Sequence, residues 1–297
     1  MRLIVYNPAG GAALRAPRLR AAIRELESQP GPHTLVATEA DDMIGPVARA
    51  LDRHPNAAVV IACGGDGTVS ACAAAVGDRD IPIGIVPTGT SNVLTYELGL
   101  PANAVDAARA LSRPTRRVVF RTWRVNGRLM LLQLGVGFDG QLMWRTPRRL
   151  KRVLGFGGVV LNALRTGVSF DYPEMRVSGV AADGTTRTAV VTSVMVANAK
   201  RWAGAAVTIP DAEPDDDLLD VLLLTYRTFA QLARFWISIL LPGVPHLRLP
   251  YVEHARMRRL RIEALQGMIP AHLDGEPVLT TPLDVEPLGR VHLLAPA

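Results

Sequence analysis

The sequence predicts two domains: an α/β domain built on a parallel sheet covered by helices, and then a mainly antiparallel β domain. The 297 residues are close to the limit of one hydrophobic core, which favours two domains. Up to about residue 117, short apolar runs alternate with helix-period segments rich in Ala, Leu and Arg, as in parallel sheets covered by helices. Beyond that point, β-type runs are joined by turn dipeptides such as Asn126-Gly127 and Asp183-Gly184.

The expected elements follow from the spacing of apolar residues. In the first domain, residues 1–117, strands are predicted at 3–6, 34–37, 57–63 and 81–86, and helices at 17–27, 45–52, 69–76, 90–98 and 104–111. In the second domain, residues 118–282, strands are predicted at 118–124, 129–135, 175–180, 188–197, 219–225 and 258–264. Two helical inserts are predicted there, at 146–164 and 229–240.

The composition excludes several classes of protein. With 48% hydrophobic and 20% charged residues, the chain is neither collagen-like, nor a coiled coil, nor wholly disordered. The net charge is +6, and of the 33 basic side chains only Lys151 and Lys200 are lysines. Because arginine binds phosphate oxygens through a planar fork, we expect an anionic partner, namely a nucleotide, a nucleic acid or an acidic membrane surface. A base-composition bias of the genome would explain the arginines equally well.

The cysteines and the hydropathy of the sequence indicate where in the cell the protein is located. Cys63 and Cys72 fit neither a disulfide framework nor a zinc site. The residues before Asn7-Pro8 leave no room for the apolar region of a signal peptide. The longest uncharged apolar stretch, 235–247, is shorter than the roughly 20 residues that a membrane span needs. We therefore expect a soluble or peripheral protein in the cytoplasm.

The sharpest local feature is the turn Gly64-Gly65-Asp66-Gly67-Thr68, between a buried strand and a helix. Its glycines let the backbone approach a ligand closely, while Thr68 is expected to cap the helix, whose N-terminus favours phosphate. The carboxylate of Asp66 would repel phosphate unless a cation lay between them, which indicates Mg²⁺ bridging to a nucleotide. The alternative is a tight strand-to-helix turn with a capping Asp. No P-loop lysine follows the turn.

Two further turns follow strands in the same way. Pro87-Thr88-Gly89-Thr90-Ser91-Asn92 carries hydroxyl and amide groups that can hold phosphate or ribose oxygens, although alone it is an ordinary helix cap. Asn7-Pro8-Ala9-Gly10-Gly11 follows the first strand. Because the ends of parallel strands lie along one edge of a sheet, the three turns predict one nucleotide site.

Together these motifs resemble the diacylglycerol kinase catalytic-domain family of lipid kinases, which includes diacylglycerol, sphingosine and ceramide kinases. The resemblance covers almost the whole chain and rests on six ordered motifs. Three are the turns above, of which Pro87-Thr88-Gly89-Thr90-Ser91-Asn92 is followed by Glu97-Leu98-Gly99-Leu100-Pro101. The others are Gly135-Val136-Gly137-Phe138-Asp139; Pro210-Asp211-Ala212 with the segment Asp215-Asp216-Asp217-Leu218-Leu219-Asp220-Val221; and Leu273-Asp274-Gly275-Glu276.

The resemblance implies an N-terminal nucleotide-binding domain with helices on both faces of its sheet, completed by residues 283–297, and a β-sandwich-like C-terminal domain that binds lipid. It implies transfer of the γ-phosphate of ATP, with Mg²⁺, to a lipid hydroxyl. By motif matching, the residues that contact ATP would be Gly64, Gly65, Asp66, Gly67, Thr68 and Ser70, with Asn7, Thr38, Thr90 and Asn92.

The same resemblance makes Asp274 the general base of the reaction. An alcohol is a poor nucleophile, so a carboxylate that accepts its proton and a metal that neutralises the γ-phosphate suit the chemistry. Glu276 and Asp66 are the other catalytic candidates. In an extended segment, Asp274 and Glu276 would point to the same side and Glu276 could orient a Mg²⁺-bound water or the base. The alternative is an acidic surface turn.

A structural Mg²⁺ site is also implied by the resemblance. It maps to the carboxylate of Asp216, with carbonyl groups near Glu213 and Leu218. Asp217 stands where the family has glycine, which changes the turn. A solvated acidic turn is the alternative.

Two inserts suit an anionic membrane surface, because they place cations beside apolar and aromatic side chains. An amphipathic helix packed on its own sheet is the alternative for each. The cations are Arg145, Arg148, Arg149, Lys151 and Arg152 in the first insert and Arg227 and Arg234 in the second.

The expected function is thus an ATP-dependent lipid kinase with a lipid substrate and a peripheral membrane partner. The rival enzyme is a phosphotransferase similar to NAD kinase that acts on a soluble nucleotide. The non-enzymatic rival is a lipid- or nucleic-acid-binding protein, but no RNA-binding or recognition-helix signature is present, so nucleic acid is not an expected partner. The sequence leaves open which lipid alcohol is used and the oligomeric state, a homodimer included.

Overall fold

A computed structural model describes residues 1–8, 16–146 and 161–297 of the chain. The chain divides into two compact units, one of Met1–Thr122 with Gly289–Ala297 and one of Trp123–Leu288. The last strand, β17, spans Leu283–Pro296 and therefore runs from the second unit into the first.

The first unit alternates strands and helices. Its elements are β1 Arg2–Tyr6, α1 Ala16–Ser28, β2 His33–Ala37, α2 Gly45–Arg53, β3 Val59–Gly64, α3 Asp66–Val76, β4 Ile83–Pro87, α4 Val93–Glu97, α5 Ala104–Ala110 and the first part of β5 Thr115–Val125. The central strands β1, β3 and β4 are largely apolar and buried, as expected of a sheet that is covered on both faces.

The sheet of this unit has the strand order β2-β1-β3-β4-β17, with parallel neighbours throughout. Helices α1 and α5 pack over Ile4 and Ile61, whereas α3 contacts β3, β4 and α2. Tyr6 is in register with Cys63, and Gly64 with Pro87. The turns that follow β1, β3 and β4 therefore leave the same edge of the sheet.

The second unit is mainly antiparallel. Its elements are the end of β5, β6 Arg128–Met130, β7 Gln133–Val136, α6 Phe138–Arg145, β8 Met175–Ala181, β9 Thr186–Val191, β10 Ser193–Ala197, β11 Arg201–Ala203, β12 Ala206–Val207, β13 Leu219–Leu224, α8 Phe229–Ile239, β14 Val252–Ala264, β15 Pro270–Leu273, β16 Glu276–Thr280 and the start of β17. Residues 161–168 are helical and are called α7 here. A 3₁₀ turn spans Pro245–Arg248.

The main sheet of this unit has the order β16-β15-β7-β10-β13-β14-β17, and β8 and β9 continue from β14. Alternate residues of its central strands enter two different hydrophobic clusters. On β13, Val221 and Leu223 face one cluster and Leu222 and Leu224 face the other. Both faces of these strands are therefore buried, and the fold class expected from the sequence, including the β-sandwich-like second domain, is confirmed.

Several expected elements differ in extent. The strand expected at 129–135 is interrupted at Leu131 and Leu132, and the one expected at 188–197 is interrupted at Thr192, which hydrogen-bonds to Leu224. The helix expected at 90–98 is shorter, and the helix α6 was not expected. Of the insert expected at 146–164, residues 147–160 lie outside the described residues, as do Ala9 to Arg15.

Candidate active site

The Gly64-Gly65 turn joins β3 directly to α3. Gly65 is the N-cap, with extended backbone at φ −95° and ψ −175°, and α3 begins at Asp66. The expectation that Thr68 caps this helix is wrong, because Thr68 is in the first turn and its side chain packs over Gly64. A Cβ atom at Gly64 would lie 2.2 Å from the Thr68 hydroxyl oxygen. Glycine at position 64 is therefore required by local packing, while nothing lies within 4 Å of the Cβ position of Gly67.

The Pro87–Asn92 turn packs against the Gly64–Thr68 turn, and glycines lie at the contact. A Cβ atom at Gly89 would lie 2.5 Å from the Cα atom of Gly65, and the backbone N–H of Thr88 donates to the carbonyl of Gly64 at 2.9 Å. The structure thus brings together the glycine turn and the Thr90-Ser91-Asn92 segment, in which Thr90 is exposed.

The side chain of Asp66 links the two turns through hydrogen bonds. Its carboxylate accepts hydrogen bonds from the backbone N–H groups of Val93 at 3.0 Å and Leu94 at 3.1 Å, the first residues of α4. A carboxylate at the N-terminus of a helix is stabilised by the unpaired N–H groups there. Asp66 therefore caps α4, a structural role that the sequence suggested only for its own helix.

Asn92 has the clearest unmet hydrogen-bonding capacity at these turns. It adopts φ +44°, its Nδ2 donates to the Gly89 carbonyl at 3.1 Å, and its Oδ1 is buried without a hydrogen-bond donor. A buried acceptor without a donor costs about 1–3 kcal/mol, which a ligand hydroxyl or a metal-bound water would recover. The residues at this edge therefore fit a Mg²⁺-nucleotide.

The remaining nucleotide candidates are Thr38, Asn7 and Ser70. Thr38 follows β2 and is buried, with its backbone N–H donating to the Tyr6 carbonyl at 2.9 Å. Asn7 follows β1 and Ser70 lies in α3, and both are partly buried.

Asp274 lies in a tight hairpin turn between β15 and β16. Asp274 and Gly275 have φ values of +48° and +82°, as a two-residue Asp-Gly turn requires. The carboxylate accepts three backbone N–H hydrogen bonds. Oδ1 accepts from Leu132 and Gln133, both at 2.9 Å, and Oδ2 accepts from Leu131 at 3.0 Å. These bonds explain why the expected strand breaks at Leu131 and Leu132.

Glu276 is exposed at the start of β16, in register with Leu273. The expectation that Asp274 and Glu276 lie in one extended segment is wrong, because Asp274 has left-handed backbone conformation. Their side chains are therefore not related by strand alternation.

In the acidic loop, the carboxylate of Asp216 is already paired with a cation. Asp216 is paired with the guanidinium group of Arg256, and its Oδ1 accepts from the backbone N–H of Leu218 at 3.0 Å. Burial raises the pKa of Asp216, and the Leu218 N–H and Arg256 oppose that shift. Within the described residues no group of three or more His, Cys, Asp or Glu side chains could hold a metal ion. The expected site, one carboxylate with carbonyl groups near Glu213 and Leu218, is not a group of that kind, and only the partners of Asp216 bear on it. Arg256 already supplies the positive charge, so these residues do not fit a structural divalent cation.

Sequence reasoning missed a buried group beside the Asp274 turn. The carboxylate of Asp139, at the start of α6, accepts hydrogen bonds from the indole of Trp202 at 2.8 Å and from His272 Nε2 at 2.7 Å. The motif Gly135-Val136-Gly137-Phe138-Asp139 was the available signal, since glycine at 135 leaves space for this pair.

Comparisons with known proteins show which family the chain belongs to. Residues 2–121 match the diacylglycerol kinase catalytic domain, and residues 136–293 match the YegS C-terminal NAD kinase beta sandwich-like domain. The chain belongs to the diacylglycerol kinase catalytic-domain family of lipid kinases. It is thus an enzyme, a lipid kinase, as the motifs predicted.

Relatives of this lipid kinase family occur in several bacteria. A Pseudomonas aeruginosa protein named "Probable lipid kinase YegS-like" is 30% identical over 74% of this chain and 70% of its own. The Bacillus subtilis diacylglycerol kinase is 24% identical over 92% of this chain and 88% of its own. An uncharacterized Synechocystis protein is 27% identical over 77% of this chain, which spans about half (54%) of that protein's length.

Solved structures support the fold. One from Bacillus anthracis superimposes with a TM-score of 0.75 at 22% identity, over 98% of this chain and 95% of that one. Another from the same organism, described as a diacylglycerol kinase, has a TM-score of 0.68 at 20% identity, over 98% and 95% of the two chains. Across the described ranges, no helix has both the length and the apolar character to cross a bilayer.

Proposed function

We propose that this lipid kinase transfers the γ-phosphoryl group of Mg²⁺-ATP to the hydroxyl of a lipid such as diacylglycerol or a sphingoid base. The observation that carries the proposal is the carboxylate of Asp274, which three backbone N–H groups hold in one orientation. A positioned carboxylate is what a kinase needs to accept the proton of an alcohol.

In this mechanism Asp274 accepts the proton of the lipid hydroxyl as the hydroxyl oxygen bonds to the γ-phosphorus. The bond from that phosphorus to the bridging oxygen of ADP breaks, and ADP leaves with the electron pair. Leu132 and Gln133 donate to Oδ1, and Leu131 donates to Oδ2. These three N–H groups fix the orientation of the carboxylate that receives the proton.

On the nucleotide side, we assign phosphate binding to the Gly64-Gly65-Asp66-Gly67 turn. The glycines keep Cβ atoms away from the backbone there, and the N-terminus of the eleven-residue helix α3 attracts anions. Asn92 Oδ1 would accept a hydrogen bond from a Mg²⁺-bound water or a ribose hydroxyl. Mg²⁺ enters with ATP as part of the substrate and neutralises charge on the phosphates.

The partner we propose is an anionic membrane surface, which the protein binds peripherally from the cytoplasm. Exposed apolar side chains on α7 and α8 support it, since Val168 is 76% and Ile237 60% exposed. The two helices are in contact, because a Cβ atom at Gly167 would lie 2.9 Å from the ring of Phe229. Exposed apolar groups on neighbouring helices suit insertion at the headgroup boundary.

The direct test is transfer of ³²P from the γ-position of ATP, with Mg²⁺, to a panel of lipid alcohols in mixed micelles. NAD is included as the soluble acceptor. We expect label on at least one lipid and none on NAD. Label on NAD alone would instead assign the protein to soluble-nucleotide phosphorylation, and ATP-independent lipid binding without transfer would indicate a binding protein.

A further inference from the structure

Three buried polar side chains meet beneath the Asp274-Gly275 turn. Asp139, Trp202 and His272 are at most 5% exposed and come from three separate elements, α6, β11 and β15. One carboxylate oxygen, Asp139 Oδ2, accepts from the Trp202 indole at 2.8 Å and from His272 Nε2 at 2.7 Å. The Trp202 and His272 rings also pack edge to face, with centroids 5.8 Å apart.

The surrounding backbone leaves space for this group. A Cβ atom at Gly135 would lie 2.3 Å from His272 Nε2 and 2.7 Å from Asp139 Oδ2. On α6, a Cβ atom at Gly140 would lie 2.1 Å from the Pro270 carbonyl oxygen. Glycine at both positions therefore allows α6 and β7 to approach β15 closely enough for the Asp139–His272 hydrogen bond to form.

The hydrogen bonds also indicate which imidazole nitrogen carries the proton. The backbone N–H of Gly275 donates to His272 Nδ1 at 3.3 Å, so Nδ1 is an acceptor. The ring proton is then on Nε2, which donates to Asp139. His272 therefore joins Asp139 to the residue that follows Asp274.

We propose that Asp139, Trp202 and His272 are positioning residues for the carboxylate of Asp274. This inference rests on the proposed function, in which Asp274 is the base. The turn is held on one side by the N–H groups of residues 131–133 and on the other by His272. Loss of the His272 contact would let the Gly275 peptide move and misplace the carboxylate relative to the lipid hydroxyl.

Stability alone is a poor explanation for this group. Burying a carboxylate and an imidazole has a desolvation cost, and apolar side chains of similar volume are often at least as stabilising. A requirement for fixed geometry explains why both are present beside a catalytic turn.

The test compares His272→Gln with His254→Gln. Glutamine at 272 can still donate to Asp139 but offers no acceptor at the Nδ1 position. His254 is the matched control, because its Nε2 also bonds to a buried aspartate, Asp220, at 2.7 Å on another strand of the same unit. We expect His272→Gln to lower kcat roughly 100-fold while the KM for ATP changes less than about twofold. His254→Gln should keep kcat within about twofold, whatever its effect on Tm.

His272→Asn keeps an oxygen acceptor near the Nδ1 position, so it should retain more of kcat than His272→Gln. The proposal is overturned if kcat is unchanged in His272→Gln, or if the two glutamine variants lose kcat equally.

Hydrogen exchange at the Gly275 amide separates this inference from the proposed function. If His272 holds the turn, exchange of this amide rises roughly fivefold in His272→Gln, as expected for loss of one hydrogen bond. Unchanged exchange overturns the inference even if the wild type phosphorylates lipid. Faster exchange in a protein that phosphorylates no lipid supports the His272 contact and rejects the reaction instead.

Discussion

At the scale of single residues, Arg256 changes the interpretation of the acidic loop. The sequence places carboxylates at 213 and 215–217, a pattern that suits a hard cation. Arg256 lies on β14, about forty residues further along the chain, and its guanidinium pairs with Asp216 and lies 3.7 Å from Asp220. Spacing along the chain cannot reveal such a partner, because strand pairing between β13 and β14 creates the contact.

This arrangement predicts that folding does not depend on a divalent cation. The wild-type Tm should be the same in EDTA and in Mg²⁺, measured without nucleotide. Arg256→Leu should lower Tm at pH 7 by roughly 3 °C, since it removes the counterion of a partly buried carboxylate.

The loss of stability caused by Arg256→Leu should depend on pH. The pKa of Asp216 is raised in the folded protein, so its contribution to stability is present at low pH and is lost as the pH rises through that pKa. Arg256→Leu should therefore be less destabilising at low pH, once Asp216 has bound a proton, than at pH 7. The control is Arg258→Leu, two residues along the strand, where the guanidinium contacts the Ala182 carbonyl. A fall in wild-type Tm on adding EDTA would contradict this interpretation.

At the scale of elements, periodicity predicted most helices and strands but not their interruptions. The strands β1 to β4 could be predicted because buried β-branched runs between turns are local signals. The breaks at Leu131 and Thr192 could not, because they depend on Asp274 and Leu224, far along the chain. The hydrogen bond between His272 and Asp139 could not be predicted for the same reason, since the two residues are 133 positions apart.

Helices α7 and α8 form the surface that we predict to bind the membrane. Replacing Ile237 and Leu240 together by serine removes two side chains that are 60% and 64% exposed. Binding to vesicles of phosphatidylglycerol and phosphatidylcholine, measured by sedimentation, should weaken by about tenfold. Val190→Ser, on the edge strand β9, is the control and should bind as the wild type does. Equal binding by the double variant would show that these helices do not contact the membrane.

At the scale of the whole molecule, the family could be predicted from the sequence alone, because the motifs occur in the same order along both units. The glycine turn and the second turn belong to the first unit, and Asp139, Asp216 and Asp274 belong to the second. What the ordered motifs could not predict is the hydrogen bonding of each carboxylate. Asp66 caps α4, Asp216 pairs with Arg256, and Asp274 is held by three backbone N–H groups beside a buried histidine.

The central claim is that Asp274 accepts the proton of the lipid hydroxyl, and the most direct test is the rate of ³²P transfer by Asp274→Asn. Asparagine keeps the size of the side chain but cannot act as the base, so kcat should fall by about 100- to 10,000-fold. Asp183→Asn is the control, because Asp183 also precedes a glycine in a hairpin turn but is exposed. Its kcat should be unchanged. A correctly folded Asp274→Asn enzyme that phosphorylates lipid at the wild-type rate would contradict the assignment of Asp274 as the base.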